Sequence, residues 1–106
     1  GMVIAPCSDR SMSEIASGVT TSLLTRAADV VLKERKKLVL MVRETPLHTG
    51  HLRTMTALSE MGAIIAPPLP AFYIKPKTID DLVDHSVGRV LDLFDIDVGA
   101  VKRWGE

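Results

Sequence analysis

The sequence predicts an α/β fold built on a parallel sheet. Short apolar runs of strand length alternate along the chain with longer segments of helical periodicity, and this order is typical of parallel sheets with right-handed crossovers. The run Leu38–Val42 is apolar at every position, which is typical of a strand covered on both faces. Polar residues follow each run, where doubly wound sheets bind ligands. We therefore predict part of a doubly wound, three-layer α/β fold.

Three strands are predicted in order along the chain. The first covers residues 2–6, an apolar run that ends in proline. The second is Leu38–Val42, and the third covers residues 63–66. The prolines within 67–70 end the third strand and impose an extended loop that continues through Tyr73.

Four helices are predicted, over residues 13–19, 21–35, 48–61 and 79–94. Apolar residues at helical spacing indicate the second and the fourth. Residues 7–12 are predicted as a polar loop. Gly62 ends the third helix, and Thr78 begins the fourth with a capping box that uses Asp81 instead of glutamate. The pattern over 95–106 predicts neither a helix nor a strand.

Composition narrows the class of protein. The 106 residues fit one domain, and 13 basic residues balance 13 acidic ones, so nothing attracts the chain generally to nucleic acid or to anionic membranes. The single cysteine cannot form an internal disulfide, which favours a reducing compartment. No apolar run reaches the roughly 18 residues of a membrane span. We expect a cytoplasmic protein without nucleic-acid or membrane partners.

The loops after the first two strands carry the first candidate residues. Arg43 could hold a phosphate or carboxylate, and Glu44 beside it could transfer a proton. The alternative is a surface ion pair between them. The hydroxyl and amide groups of the earlier loop suit an anion or a polar ring edge, although helix capping would explain them equally. These earlier residues are Ser8, Asp9, Arg10 and Ser11.

Further candidates lie far apart in sequence. Lys33, Tyr73 and Arg89 could reach one anion if the fold brings them together; otherwise they are two solvated charges and a partly buried aromatic. His48 and His51 have the spacing of a zinc pair but lack a clear third ligand, so we predict no metal site. Cys7 is expected to be a buried structural cysteine.

Taken together, several segments of the sequence resemble UbiX-type flavin prenyltransferases, formerly described as aromatic acid or 3-polyprenyl-4-hydroxybenzoate decarboxylases. The most specific stretches are RAADVVLKER at 26–35 and VRETPLH at 42–48. The segments 2–8 and 67–73 and the last helix continue the match in register.

The resemblance implies a fold and an activity. The family is Rossmann-like, assembles into trimers and dodecamers, and transfers a dimethylallyl group from dimethylallyl phosphate to reduced FMN. Its product is the cofactor of UbiD-type decarboxylases. By this resemblance, the present chain is expected to be the C-terminal part of a single flavoprotein domain that spans 1–106.

The resemblance also implies residue roles. Glu44 would handle a proton at the leaving phosphate, and Lys33, Tyr73 and Arg89 would hold the prenyl phosphate. Trp104 falls at another position that the family uses near its site. The FMN-contacting residues would be Ser8, Asp9, Arg10, Ser11, Arg26 and Arg43.

Two departures from the family pattern qualify the resemblance. Ser11 stands where the family usually has threonine. Family members are nearly twice as long, and we expect that their N-terminal half, with the loop that cradles the FMN phosphate, is missing here. A non-catalytic flavin-binding or decarboxylase-associated subunit is therefore the alternative function.

The apolar residues of the helix over 21–35, among them Leu23 and Val30, occupy more than one stripe. This pattern predicts that part of the helix is buried against other chains. The resemblance implies the form of the assembly, a homo-oligomer built on trimers with its sites at the interfaces.

Overall fold

The computed structural model describes residues 1–69 and 75–96, and this part of the chain forms three strands and four helices. In chain order they are β1 (Met2–Cys7), α1 (Asp9–Ser17), α2 (Leu23–Lys33), β2 (Leu38–Val42), α3 (Thr49–Glu60), β3 (Ile64–Ile65) and α4 (Ile79–Asp92). The strands form one parallel sheet in the order β1-β2-β3. The predicted α/β fold with a parallel sheet is confirmed.

The central strand β2 is the best-covered part of the sheet. Leu38, Val39 and Leu40 are fully buried although successive side chains point to opposite faces. The continuous apolar run predicted this burial. On one face the core also includes Ile4 of β1, Met12 and Ile15 of α1, Ala28 of α2 and Leu58 of α3.

The two outer strands differ from their predictions. β1 was expected to be buried, yet Val3 is 37% exposed and Ala5 is exposed as well. The reason is that β1 pairs only with β2 within the described residues and has one covered face. β1 also runs one residue further than predicted, to Cys7. β3 is only Ile64–Ile65, and the Ala66 N–H extends its pairing by donating to the Leu40 carbonyl at 2.9 Å.

Helix α1 begins four residues earlier than predicted. The segment read as a polar loop contains Asp9–Met12, which is helical. Ser8 caps the helix, because its hydroxyl accepts the Ser11 backbone N–H at 3.1 Å. The apolar pattern concealed this start, since Met12 is the first core residue of the helix.

Helix α2 has a defined cap at each end. Ser22 and Thr25 form a reciprocal capping box at its start. At its end the Lys36 N–H donates to the Val31 carbonyl and the Arg35 N–H to the Leu32 carbonyl, both at 3.0 Å, which is a Schellman motif. Arg35 occupies its left-handed position with φ 58°, where glycine is the usual residue.

The chain divides into two compact units, Gly1–Pro67 and Pro68–Glu106, and the second contains α4. The predicted capping box of α4 is confirmed: the Asp81 N–H donates to Thr78 Oγ1 at 3.1 Å, and the Asp81 carboxylate accepts two backbone N–H groups. The N–H of Lys77 is the larger cause that lowers the pKa of Asp81, and that of Thr78 adds to it.

The predicted apolar face of α4 is only partly right. Val90 is buried as predicted, but Ile79 is 78% exposed and Val83 is 52% exposed. His85 and Gly88 are buried instead, so the covered stripe lies to one side of the predicted one.

Within the described ranges, no helix combines the length and the apolar character that crossing a bilayer would require.

Candidate functional site

The first two predicted loops start at the same edge of the sheet. β1 and β2 are adjacent and parallel, and Cys7 at the end of one is paired in register with Val42 at the end of the other. The chain therefore leaves both strands side by side, at Ser8 and at Arg43. Ligands of parallel α/β sheets bind at this carboxyl edge, so we take it as the candidate site.

The turn after β1 is ordered by its own polar groups. Ser8 Oγ accepts the Ser11 N–H and lies 3.1 Å from Ser11 Oγ. Helix capping thus accounts for one contact of each serine, as the simpler interpretation expected. Ser8 remains exposed, and the first-turn amides of α1 face the edge where an anion would be favoured.

Arg10 points its guanidinium along α1 instead of across the edge. Its Nε lies 3.1 Å from Glu14 Oε2. Glu14 in turn accepts the Thr21 N–H at 2.9 Å and the hydroxyls of Thr21 and Thr25 at 2.8 and 3.1 Å. The Thr21 backbone donor is the largest cause that lowers the pKa of Glu14 to about 2. Glu14 therefore joins α1 to the start of α2 as a carboxylate that is ionised at neutral pH.

Arg43 and Glu44 are both exposed at the end of β2. The surface ion pair considered from the sequence does not form: across residues 1–69 and 75–96, neither side chain has a hydrogen-bond or ion-pair partner. Their charges are not neutralised by a described side chain. A phosphate or carboxylate can approach the guanidinium directly, with its two parallel donors available.

Two histidines at the start of α3 form a feature that the sequence pattern did not reveal. The His48 N–H donates to His51 Nδ1 and the His51 N–H donates to His48 Nδ1, each at 3.2 Å. The two rings stack with centroids 3.7 Å apart. This is a capping box made from two imidazoles instead of the usual hydroxyl and carboxylate.

His51 also connects the two loops of the candidate site. Its Nε2 lies 3.6 Å from Asp9 Oδ1 in the first turn of α1. The spacing of three residues, read as a zinc pair, is equally the spacing of an N-cap and its N3 partner. That second interpretation, together with the polar loop before His48, is the signal that could have identified the capping box.

Lys33 and Arg26 lie at opposite ends of α2, and Lys33 is far from Arg43. Lys33 is its last residue, and the Lys37 carbonyl a short distance on accepts the Met2 N–H at the start of β1. Lys33 therefore lies toward the amino edge of the sheet, whereas Arg43 follows the far end of β2, a strand of about 16 Å. Arg26 is exposed in the first turn of α2, about 10 Å along the helix from Lys33. One chain does not bring Lys33 and Arg43 to the same anion.

The remaining predicted anion ligands belong to the second unit. Arg89 is exposed in the last turn of α4. Tyr73 and Trp104 lie outside the described residues.

Cys7 is a buried thiol at the end of β1. Burial raises the pKa of the Cys7 thiol to about 11, which keeps it protonated and agrees with a structural cysteine. Among residues 1–69 and 75–96, no three His, Cys, Asp or Glu side chains group together as metal ligands would.

Comparison with known proteins gives a consistent result. The family described as Flavoprotein matches residues 1–91. The flavin prenyltransferase UbiX of Thauera aromatica is 62% identical over 98% of this chain and 54% of its own length. The chain thus spans about half the length of the curated relatives that it matches.

Solved structures agree with this family assignment. A structure described as AnUbiX (PadA1) in complex with FMN and dimethylallyl pyrophosphate superposes with a TM-score of 0.96 at 54% identity, over 100% of this chain and 56% of the other. A structure described as a dodecameric FMN-dependent Ubix-like decarboxylase from Escherichia coli O157:H7 superposes with a TM-score of 0.94 at 51% identity, over 100% and 57%. The resemblance read from the sequence is confirmed.

Proposed function

Because this chain belongs to the Flavoprotein family, we propose that it acts in a flavin prenyltransferase that transfers a dimethylallyl group from dimethylallyl phosphate to reduced FMN. The observation that carries the proposal is the pair Arg43 and Glu44, which reach the carboxyl edge beside the Ser8 turn without partners of their own among the described residues. A free cation and a free carboxylate are what phosphate departure and proton transfer need.

The cofactor proposal rests on the donors at this edge. The first-turn amides of α1 and the exposed Ser8 hydroxyl suit the polar edge of a flavin. The free Arg43 guanidinium suits the negative charge of the cofactor. Asp9, Arg10, Ser11 and Arg26 complete the set that the resemblance implies, and in the free chain Arg10 pairs with Glu14. When bound, reduced FMN would supply the carbon and nitrogen atoms that receive the prenyl group.

The substrate proposal assigns charge neutralisation to Lys33, Tyr73 and Arg89. A departing phosphate needs positive charge, and a site from which water is excluded protects an allyl cation-like group from hydrolysis. Glu44 is proposed to deliver the proton to the leaving phosphate, because it is exposed at the edge beside Arg43 and no described side chain competes for it.

The position of Lys33 supports a site shared between copies of the chain. Since Lys33 and Arg43 lie toward opposite edges of one sheet, we propose that a second copy of the chain contributes Lys33 to the site, in a homo-oligomer built on trimers. Two apolar side chains of α2 support such an interface: Leu23 is 84% exposed and Val30 is 50% exposed. The structural relative from E. coli O157:H7 is described as dodecameric.

Two finer points belong to the same proposal. We propose a UbiD-type decarboxylase as the recipient of the product. We also propose a cytoplasmic location, which rests on the single cysteine of the sequence.

The test is a direct assay. The intact protein, incubated anaerobically with reduced FMN and dimethylallyl phosphate, should yield prenylated flavin, detected by mass spectrometry. Omission of dimethylallyl phosphate is the control. Tight FMN binding without product would instead support the non-catalytic flavin-binding subunit, and absence of both would contradict the proposed function.

A further inference from the structure

We propose that His51 is a positioning residue for the flavin site: it holds Asp9, and with Asp9 the turn after β1, next to the loop that carries Arg43 and Glu44. The inference rests on the proposed function, since it assigns a role within the same edge of the sheet. The residues concerned, His48, Gly50, His51 and Asp9, are called the histidine clasp below.

The hydrogen bonds of the clasp fix where its protons lie. Nδ1 of each ring accepts a backbone N–H at 3.2 Å, so Nδ1 carries no proton and the proton of the neutral ring is on Nε2. In His51 the protonated Nε2 thus lies 3.6 Å from Asp9 Oδ1. The backbone of α3 thereby selects the tautomer of His51 that is attractive to Asp9.

Packing fixes where the rings lie. The imidazoles stack with an interplanar angle of 15°, and the side chain of His51 is only 12% exposed. Room for the His48 ring exists because residue 50 is glycine: a Cβ there would lie 2.7 Å from His48 Cε1 and 3.0 Å from its Nδ1. His51 is therefore held from one side by its neighbour and faces Asp9 on the other.

Asp9 is the charged group that His51 contacts across the packed helices. α1 packs against α3, but its other charged side chains, Arg10 and Glu14, bind each other. β3, which also packs against α3, has no charged side chain. Within the described part of the chain, the Asp9–His51 contact is thus the polar connection between the two loops of the site.

A purely structural role would make a different prediction from a positioning role. If the clasp only stabilises the packing of α1 and α3, its loss should affect FMN binding equally whether or not Asp9 is present. If His51 acts through Asp9, its loss should have little effect once Asp9 has been replaced. A double-mutant cycle separates the two.

The experiment measures FMN affinity of the intact protein by fluorescence quenching. His51→Leu should weaken binding about tenfold, but less than about twofold in an Asp9→Ala background. His51→Gln should remain within about twofold of the unmodified protein, because glutamine at N3 can accept the N-cap N–H and donate an amide toward Asp9. Arg53→Gln, on an exposed position of α3, is the matched control and should change nothing. Equal losses from His51→Leu in both backgrounds would overturn the proposal.

A measurement on the free protein separates this inference from the proposed function. His51→Leu should shift the backbone amide resonances of Ser8 and Ser11, while Arg53→Gln leaves them in place. Unmoved resonances overturn the positioning role even if FMN binds. Moved resonances in a protein that does not bind FMN support the clasp and count against the proposed function alone.

Discussion

Glu14 and Glu44 are both carboxylates with an arginine close in sequence, yet their surroundings are opposite. Glu14 binds Arg10 and accepts three hydrogen bonds from Thr21 and Thr25, which connects α1 to the start of α2. Glu44 is exposed beside Arg43 and has no partner among residues 1–69 and 75–96. One carboxylate is committed to the fold, and the other is available to a ligand.

The difference shows how to separate structural from reactive charges in this chain. Hydrogen bonds to the ionised form lower the pKa of Glu14 to about 2, so it cannot exchange a proton near neutral pH. Glu44 has no such described donors and is exposed, so it is open to a ligand at the edge of the sheet. Exchanging each residue for glutamine should therefore affect different properties.

The largest expected effect is on catalysis by Glu44→Gln. Glutamine keeps the shape but removes the titratable proton, so turnover should fall by roughly 10²–10⁴-fold, the usual range for general acid–base catalysis. FMN affinity and melting temperature should change little. Glu14→Gln, assayed in parallel, should keep its turnover. Near-normal prenylation by Glu44→Gln would show that Glu44 is not the proton-transfer residue.

The next effect concerns the proposed phosphate ligands. Arg89→Ala should weaken dimethylallyl phosphate binding by about 10- to 150-fold, which corresponds to the roughly 1.5–3 kcal/mol of a charge-assisted hydrogen bond. FMN binding should change much less. Both affinities are measurable by calorimetry, with Arg53→Ala as the control. An equal loss for the two ligands would contradict the assignment of Arg89 to the prenyl phosphate.

The contacts of Glu14 predict that the stability of the fold depends on pH. Because its folded-state pKa is lowered from 4.5 to about 2, its stabilising contribution is present above pH 4.5 and is lost as the pH falls through about 2. Glu14→Gln should lower the melting temperature at pH 7 and flatten its decline between those two pH values. Glu34→Gln, at an exposed pair with Lys36, is the control and should reproduce the unmodified curve. The same flattening in that control would show that the Glu14 contacts are not the cause.

The smallest effect is expected at the end of α2, close to Lys33. Arg35 adopts φ 58° in the Schellman motif, a conformation that costs a residue with a Cβ about 1–2 kcal/mol. Arg35→Gly should raise the free energy of unfolding by about 0.5–1 kcal/mol after the greater freedom of glycine in the unfolded chain is included. Urea denaturation measures the change. Lys36→Gly, which has no positive φ to relieve, should not stabilise the protein; stabilisation by both would show that backbone strain is not the reason.

Several features could be predicted from the sequence because local order encodes them. An apolar run without alternation predicted the burial of β2, in which all residues except Met41 are buried. The alternation of such runs with helical periods predicted a parallel sheet. The Thr78 and Asp81 capping box lies within four residues, so spacing was enough to identify it. The segments RAADVVLKER and VRETPLH were enough to indicate the family.

Other features depended on contacts between segments that are distant in the chain. The apolar pattern could not show that α1 begins at Asp9, because Ser8 caps that helix through a hydrogen bond and not through burial. Spacing could not show that His51 meets Asp9, since that contact exists only when α1 packs on α3. Nor could it show that Lys33 and Arg43 lie toward opposite edges, which follows from the direction of β2. Periodicity reports which face of an element is covered, whereas tertiary packing decides which polar groups meet.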